Sequence, residues 1–248
     1  MRMLKIFLTF FIVFTSLLSA AQGANFVWAQ RFGGSSNDNC YSACDQAGNV
    51  YRMDAALTKH SSSGSPLWSI TPPFYPQAVS FDAAGDLYVI GRFNGTVDLD
   101  HGPGVYTVAA IGGFDMAVIK LSSSNGNFIW GGSMGSPFNE NTAIVSTDPS
   151  GNLYIGGSFT GVYDVDPGVG IFNFTATTTD FFVSKISTTG NLSWAKQFAG
   201  NSAGGINSID VDASGDVYFC GSFSGTFDFD PASATSNLST STSTNNDM

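Results

Sequence analysis

The stretch Asp148 to Pro167, D-P-S-G-N-L-Y-I-G-G-S-F-T-G-V-Y-D-V-D-P, decides how the chain is read, because it occurs twice more. From Asp82 the chain reads D-A-A-G-D-L-Y-V-I-G-R-F-N-G-T-V-D-L-D-H, and from Asp212 it reads D-A-S-G-D-V-Y-F-C-G-S-F-S-G-T-F-D-F-D-P. A shorter relic, D-Q-A-G-N-V-Y, begins at Asp45. The shared glycines Gly48, Gly85, Gly151 and Gly215 are separated by 37, 66 and 64 residues. A long period with turn and strand signals inside each copy marks a repeat architecture.

Each full copy divides into four strands. The first ends at the turn aspartate, over Gln77–Phe81, Ala143–Thr147 and Ile206–Val211. The second follows D-x-x-G-N/D, whose glycine suits positive φ and whose Asp and Asn bond the local backbone. It covers Leu87–Phe93, Leu153–Phe159 and Val217–Phe223, runs of β-branched and aromatic residues. The third covers Met116–Leu121 and Phe181–Ile186, with Ala55–His60 a weaker equivalent. The fourth carries a tryptophan. An insertion, G-T-V-D-L-D-H-G-P-G from Gly95, separates the second and third strands, with cousins from Gly161 and Gly225.

A four-stranded antiparallel unit cannot bury both faces alone. Stacking such units radially buries them, which predicts an all-β protein, a β-propeller of four-stranded antiparallel blades. The four first-strand segments predict about three blades plus a half. All four tryptophans, Trp28, Trp68, Trp130 and Trp194, fall at one repeat position, in F-V-W-A-Q, L-W, F-I-W and L-S-W-A-K-Q. Their predicted role is structural, with each large ring filling the gap where one sheet packs on the next. Gly85, Gly151 and Gly215 are the matching turn positions.

Composition agrees with short strands and tight turns. Glu140 is the only glutamate, and every other acidic residue is an aspartate, at home in turns and caps rather than inside helices. Arg2, Lys5, the apolar run Ile6–Leu18 and the small residues Ser19-Ala20-Ala21 describe a secretory signal peptide over residues 1–21, leaving repeats over 22–248. Cleavage after Gly23 is the alternative. Thirteen residues, ten of them apolar, span roughly 20 Å as a helix, too short for a bilayer core. Removing the segment takes the formal charge from −10 to about −12. So acidic a chain, without a basic patch, is a poor partner for nucleic acid. Cys40, Cys44 and Cys220 lack zinc-site spacing, and Cys40 and Cys44 are too far apart along a strand for a disulfide. They are read as small buried apolar residues.

The pattern D-x-x-G-N-x-Y-x-x-G-x-F-x-G-T-x-D-x-D-P-G, followed by D-x-x-V-x-K-I/L and G-N-x-x-W-A-K-Q, resembles the bacterial repeat named after seven-bladed β-propellers. The resemblance covers nearly all of the chain after the signal segment. It implies a propeller fold, export, and placement in a larger secreted or cell-surface protein, without implying an activity. Two departures stand out: the first copy lacks the insertion, and Asp247-Met248 aligns with Asp115-Met116, where a third strand begins. The last unit is therefore expected to be an incomplete copy.

Candidate chemistry centres on three acidic pairs, Asp98 and Asp100, Asp164 and Asp166, and Asp228 and Asp230. Residues two apart on an extended segment share a side, so each pair could offer two carboxylates to calcium, which needs six to eight oxygens. The competing reading is that these aspartates accept backbone hydrogen bonds and shape a turn. Asp115 with Lys120 and Asp180 with Lys185 also recur, but five residues apart they face opposite sides of a strand, which points to structural or solvated roles. Phe223 occupies the centre of Gly221–Gly225, where a nucleophile elbow needs serine, and His60 and His101 stand in no triad-like setting. No catalytic residue is assigned. The expected function is a non-catalytic exported module that binds a protein or glycan, or serves as a scaffold. The alternative is a carbohydrate-active hydrolase or lyase with its site on the axial face, built from unique residues such as Glu140, His101 and Arg92.

Overall fold

A computed structural model describes residues 41–54, 56–140, 143–232 and 234–240. The signal segment, Trp28, Cys40, Ala55 and Asp247-Met248 lie outside them. The first sheet is an antiparallel meander of β1 (Tyr41–Cys44), β2 (Val50–Met53), β3 (Leu57–His60) and β4 (Pro66–Ile70). The second begins with β5 (Tyr75–Phe81) and β6 (Leu87–Phe93), continues after a small hairpin of β7 (Thr96–Asp98) and β8 (Thr107–Ala109), and ends with β9 (Asp115–Leu121) and β10 (Phe128–Met134). The third contains β11 (Ala143–Thr147), β12 (Leu153–Asp164), β13 (Asn173–Ile186) and β14 (Leu192–Phe198). Then come β15 (Gly204–Val211) paired with β16 (Val217–Phe223), and a hairpin of β17 (Thr226–Asp228) with β18 (Asn237–Ser239). The chain is thus all-β, built from four-stranded antiparallel sheets. Among the described residues no helix is long and apolar enough to cross a membrane.

Alternation along each second strand explains how the sheets stack, because successive side chains point to opposite faces. Leu87 and Val89 of β6 join Tyr51, Met53 and Leu57 of the first sheet in one core cluster. Tyr88 and Ile90, the intervening residues, join Leu153, Ile155 and Phe182 of the third sheet in another. Tyr154, Phe181 and Val183 face the next sheet and pack on Ile206, Ile209 and Phe223. The four first strands approach one another around a cavity of about 290 Å³, touched by Ala43, Ala78, Val145 and Ser208. Short side-chain bonds link these strands in series. Thr147 Oγ1 donates to Phe81 O at 2.8 Å, and Ser146 Oγ to Asp210 Oδ1 at 3.3 Å.

The expectation of buried cysteines fails for the two that are described. Cys44 and Cys220 are free and exposed. Cys44 lies opposite Val50, on the other face of its sheet from Tyr51 and Met53, which enter the core. On β16, Val217 and Phe219 pack inward while Tyr218 and Cys220 point away. Among the described residues no sheet covers either outer face. The expected third strand at Ala55–His60 begins only at Leu57, and the second strand of the third sheet runs past Phe159 to Asp164 through a bulge.

Gly91 shows how closely first and second strands approach at their bulge. A Cβ there would lie 2.1 Å from the Tyr75 carbonyl oxygen and 2.8 Å from the Phe74 ring. Backbone cannot retreat as a flexible side chain can, so Gly91→Ala is expected to cost about 1–3 kcal/mol. Gly156→Ala, whose Cβ would meet nothing nearer than 3.4 Å, serves as the control. Urea unfolding midpoints for the two variants check this, and equal midpoints would contradict it.

Candidate functional site

The turn aspartates do two jobs with two oxygens. Asp82 Oδ1 accepts the Ala84 and Asp86 amides at 2.9 and 2.8 Å, and Asp148 Oδ1 accepts those of Ser150 and Asn152 at 3.0 and 2.9 Å. The second oxygen receives a lysine from the third strand. Lys120 lies 2.7 Å from Asp82, Lys185 2.9 Å from Asp148 and Lys59 3.6 Å from Asp45. Burial pushes the Asp148 carboxyl up, but the Asn152 side chain, Lys185 and the Asn152 amide outweigh it and hold the group at about 2. Its contribution to stability is present above the ordinary carboxylate pKa and is lost as pH falls through about 2.

Lysine and tryptophan then reach across to the next sheet. Lys59 Nζ and Trp68 Nε1 donate to Ser123 O at 2.8 and 3.1 Å. One repeat later, Lys120 Nζ and Trp130 Nε1 donate to Thr188 O at 3.4 and 3.0 Å, and Tyr88 hydroxyl donates to Gly151 O at 2.8 Å. Gly190, at φ 88°, lets its turn lie against the Trp130 ring, where a Cβ would come within 3.0 Å. Asp, Lys and Trp therefore form a latch that fastens the first sheet to the second and the second to the third. Trp194 makes an edge contact with Tyr154 at 5.9 Å, but donates no hydrogen bond to a next turn among the described residues. Asp115 and Asp180, which recur with these lysines in sequence, are buried apart from them. Asp180 accepts Gly200 N at 2.9 Å and the Gln197 amide at 2.5 Å.

The acidic pairs adopt one geometry three times. Asp98 Oδ1 accepts the amides of Asp100 and Tyr106, Asp164 Oδ1 those of Asp166 and Phe172, and Asp228 Oδ1 those of Asp230 and Ser236. The second aspartate of each pair accepts the amide two residues on, from Gly102, Gly168 or Ala232. These bonds close the inserted loops, a role that requires no ion. Among the described residues no group of three or more His, Cys, Asp or Glu side chains converges. The melting temperature is accordingly expected to be the same in chelator and in millimolar calcium. A rise that follows calcium concentration would instead assign the pairs to the ion.

One cluster escapes the repeat. Asp115, at the start of β9, and Glu140, in the connection to the third sheet, are 1% and 4% exposed and lie close enough that each shifts the other's titration. Asp115 Oδ1 and Glu140 Oε2 are buried and have no hydrogen-bond partner among the described residues. Ser136 Oγ donates to Glu140 Oε1 at 2.5 Å, and Ile111 N to Asp115 Oδ2 at 2.8 Å. Two carboxyls with facing lone pairs bond only if one keeps its proton. Burial raises the Glu140 pKa, and Asp115 adds to this against the Ser136 bonds, bringing it to about 7. Burial raises Asp115 as well. The Tyr163 hydroxyl, buried with them, is raised by burial and then by the charges of Glu140, Asp115 and Asp164. Sequence reading singled out Glu140 for being unique, without its partner; the recurrence of Asp115 disguised this.

Fold and site together define an all-β repeat protein whose recurring charged residues join sheet to sheet. No family model and no curated protein matches the chain. Among solved structures it is similar to a protein of unknown function from Bacteroides caccae, at 12% identity and a TM-score of 0.46, covering 89% of this chain and 64% of that one. It is also similar to the Dos1 propeller, at 10% identity and a TM-score of 0.34, covering 73% of this chain and 51% of that one. The chain spans less than two thirds of the first of these structures and about half of the second.

Proposed function

We propose that the chain is a run of blades from an exported β-propeller of the bacterial seven-bladed repeat type, acting as a non-catalytic binding or structural module of a larger secreted or cell-surface protein. The observation that carries this reading is the latch: in successive copies the recurring aspartates and lysines pair with each other, and in the first two sheets the lysine also bonds the next sheet. Groups spent on holding sheets together are not available as a reacting constellation. The radial reading is supported by the four first strands lining one cavity, the arrangement of inner strands around a propeller axis. Its expected ligands are a protein or a glycan.

The buried acid pair favours a second reading, a carbohydrate-active hydrolase or lyase. A carboxyl held near neutral pH beside another carboxylate is the usual equipment of such enzymes. Both groups are closed off from solvent, so substrate would reach them only after the loop carrying Glu140 opened. Incubating the protein with a polysaccharide panel separates the readings. The module predicts no cleavage, whereas cleavage abolished in Glu140→Gln would establish the enzyme.

A further inference from the structure

The passage from the end of β4 into the start of β5, T-P-P-F-Y-P over Thr71–Pro76, carries three prolines, where Gly135–Glu140 after the second sheet carries one and Ala199–Gly205 after the third carries none. Pro72, Pro73 and Tyr75 line a groove of about 470 Å³ together with Asp54, Phe93 and Asn94. That volume is within the range of small-molecule sites, and so is the combination of an apolar wall with a few polar groups. Tyr75 is 62% exposed, although its ring is held edge-on to Phe114 at 6.1 Å, with the Arg92 guanidinium 4.8 Å from the Phe114 ring centre. Phe74 beneath it is buried. A rigid, exposed ring on proline-stiffened backbone is prepaid in conformational entropy. Sheet packing does not account for it, because the ring points away from the cores.

We propose that this groove binds a neutral oligosaccharide, one pyranose packing its C–H face on the Tyr75 ring while its hydroxyls bond the Asn94 amide and the Asp54 carboxylate. The inference rests on the binding-module reading and names the ligand class and site. An aromatic ring presents a negative face to which the positive C–H edges of a sugar are suited. Asn94 is exposed, and its amide offers both donor and acceptor. Asp54 is fixed by its ion pair with Arg52 and by the Ala56 amide at 3.0 Å, so the groove's carboxylate is already neutralised and favours no cationic ligand. An extended peptide fits worse, since it needs backbone donors along its path and Pro72, Pro73 and Pro76 have no N–H.

The test is calorimetric titration of the full chain with cellohexaose, xylohexaose and mannohexaose, with chromatography of the sugars afterwards. At least one should bind and remain uncleaved. Tyr75→Ala and Asn94→Ala should each weaken it roughly ten-fold, and Tyr75→Phe should keep most of the affinity. Unchanged melting temperatures in the variants would show that they fold. Absence of binding by all three sugars at millimolar concentration would overturn the proposal, as would binding indifferent to Tyr75→Ala; neither result touches the module reading. Cleavage of a bound sugar would overturn the module reading instead. A proline-rich peptide that bound through Tyr75 while the sugars did not would overturn the choice of ligand.

Discussion

Replacing Lys120 with methionine is expected to destabilise the protein by about 3–5 kcal/mol, the usual consequence of leaving a buried charge without its partner. The side chains of Lys120 and Asp82 are only 8% and 6% exposed, and 2.7 Å separates them. Lys120→Met would also remove the bond to Thr188 O and the cation above the Tyr88 ring, 5.2 Å from its centre. Of these three contacts, Asp82 and Tyr88 lie within the second sheet, and the bond to Thr188 O ties that sheet to the third. Adding Asp82→Asn should recover part of the loss, because an amide oxygen still accepts the Ala84 and Asp86 amides while the charge is gone. Lys185→Met should cost less, since Lys185 is 22% exposed and no next turn receives it among the described residues. Lys196→Met, at an exposed position, should change little. Urea midpoints for the series check the order, and a loss below about 1 kcal/mol in Lys120→Met would place the pair with ordinary surface ion pairs.

The second large effect concerns Glu140 and depends on pH. Its folded pKa of about 7 lies above the ordinary value of 4.5, so the folded state holds a proton that the unfolded chain has released. Where the native state binds more protons, stability falls as pH rises. The penalty should therefore grow from about pH 4.5 and level off above about pH 7, reaching on the order of 3 kcal/mol. Besides burial, the groups that set this balance are Asp115 on β9 and Ser136 on the connecting loop. Glu140→Gln imitates the protonated acid at every pH, with an amide able to donate to Asp115 Oδ1 and an oxygen to accept from Ser136. It should match the parent protein near pH 4.5 and exceed its stability at pH 8. Melting curves at the two pH values test this, and a variant equally stable or less stable at pH 8 would contradict it.

Local signals in the sequence reached far into the fold. Strands Leu87–Phe93, Ala143–Thr147 and Val217–Phe223 begin and end where the D-x-x-G turn and the flanking residues place them. The inserted hairpins also follow from their repeated D-x-D loops. Reading failed where a local break signal was absorbed by geometry. Gly161 looks like the end of a strand, yet β12 continues through it at φ 77°, with the bulge taking up the change. It failed again where a partner is distant in sequence. Spacing ruled out Asp115, five residues away, as a local partner of Lys120 but named none in its place, whereas the register sets Lys120 opposite Tyr88 and brings it to Asp82. The burial of Cys220 could not be judged from its own strand, since exposure there depends on whether another sheet covers that face. The Asp115–Glu140 pair is of the same kind, made by the path of one loop between two sheets. The Tyr75 groove was legible only as an unrepeated run of prolines and aromatics.

The most direct test of the sheet-to-sheet latch is hydrogen exchange at the tryptophan indoles, read as separate N–H resonances in a nitrogen-15 spectrum. Trp68 and Trp130 donate to the carbonyls of Ser123 and Thr188 on the following sheet, while Trp194 has no such acceptor among the described residues. The account predicts slow exchange at Trp68 and Trp130 and fast exchange at Trp194. Exchange as fast at Trp130 as at Trp194 would contradict it.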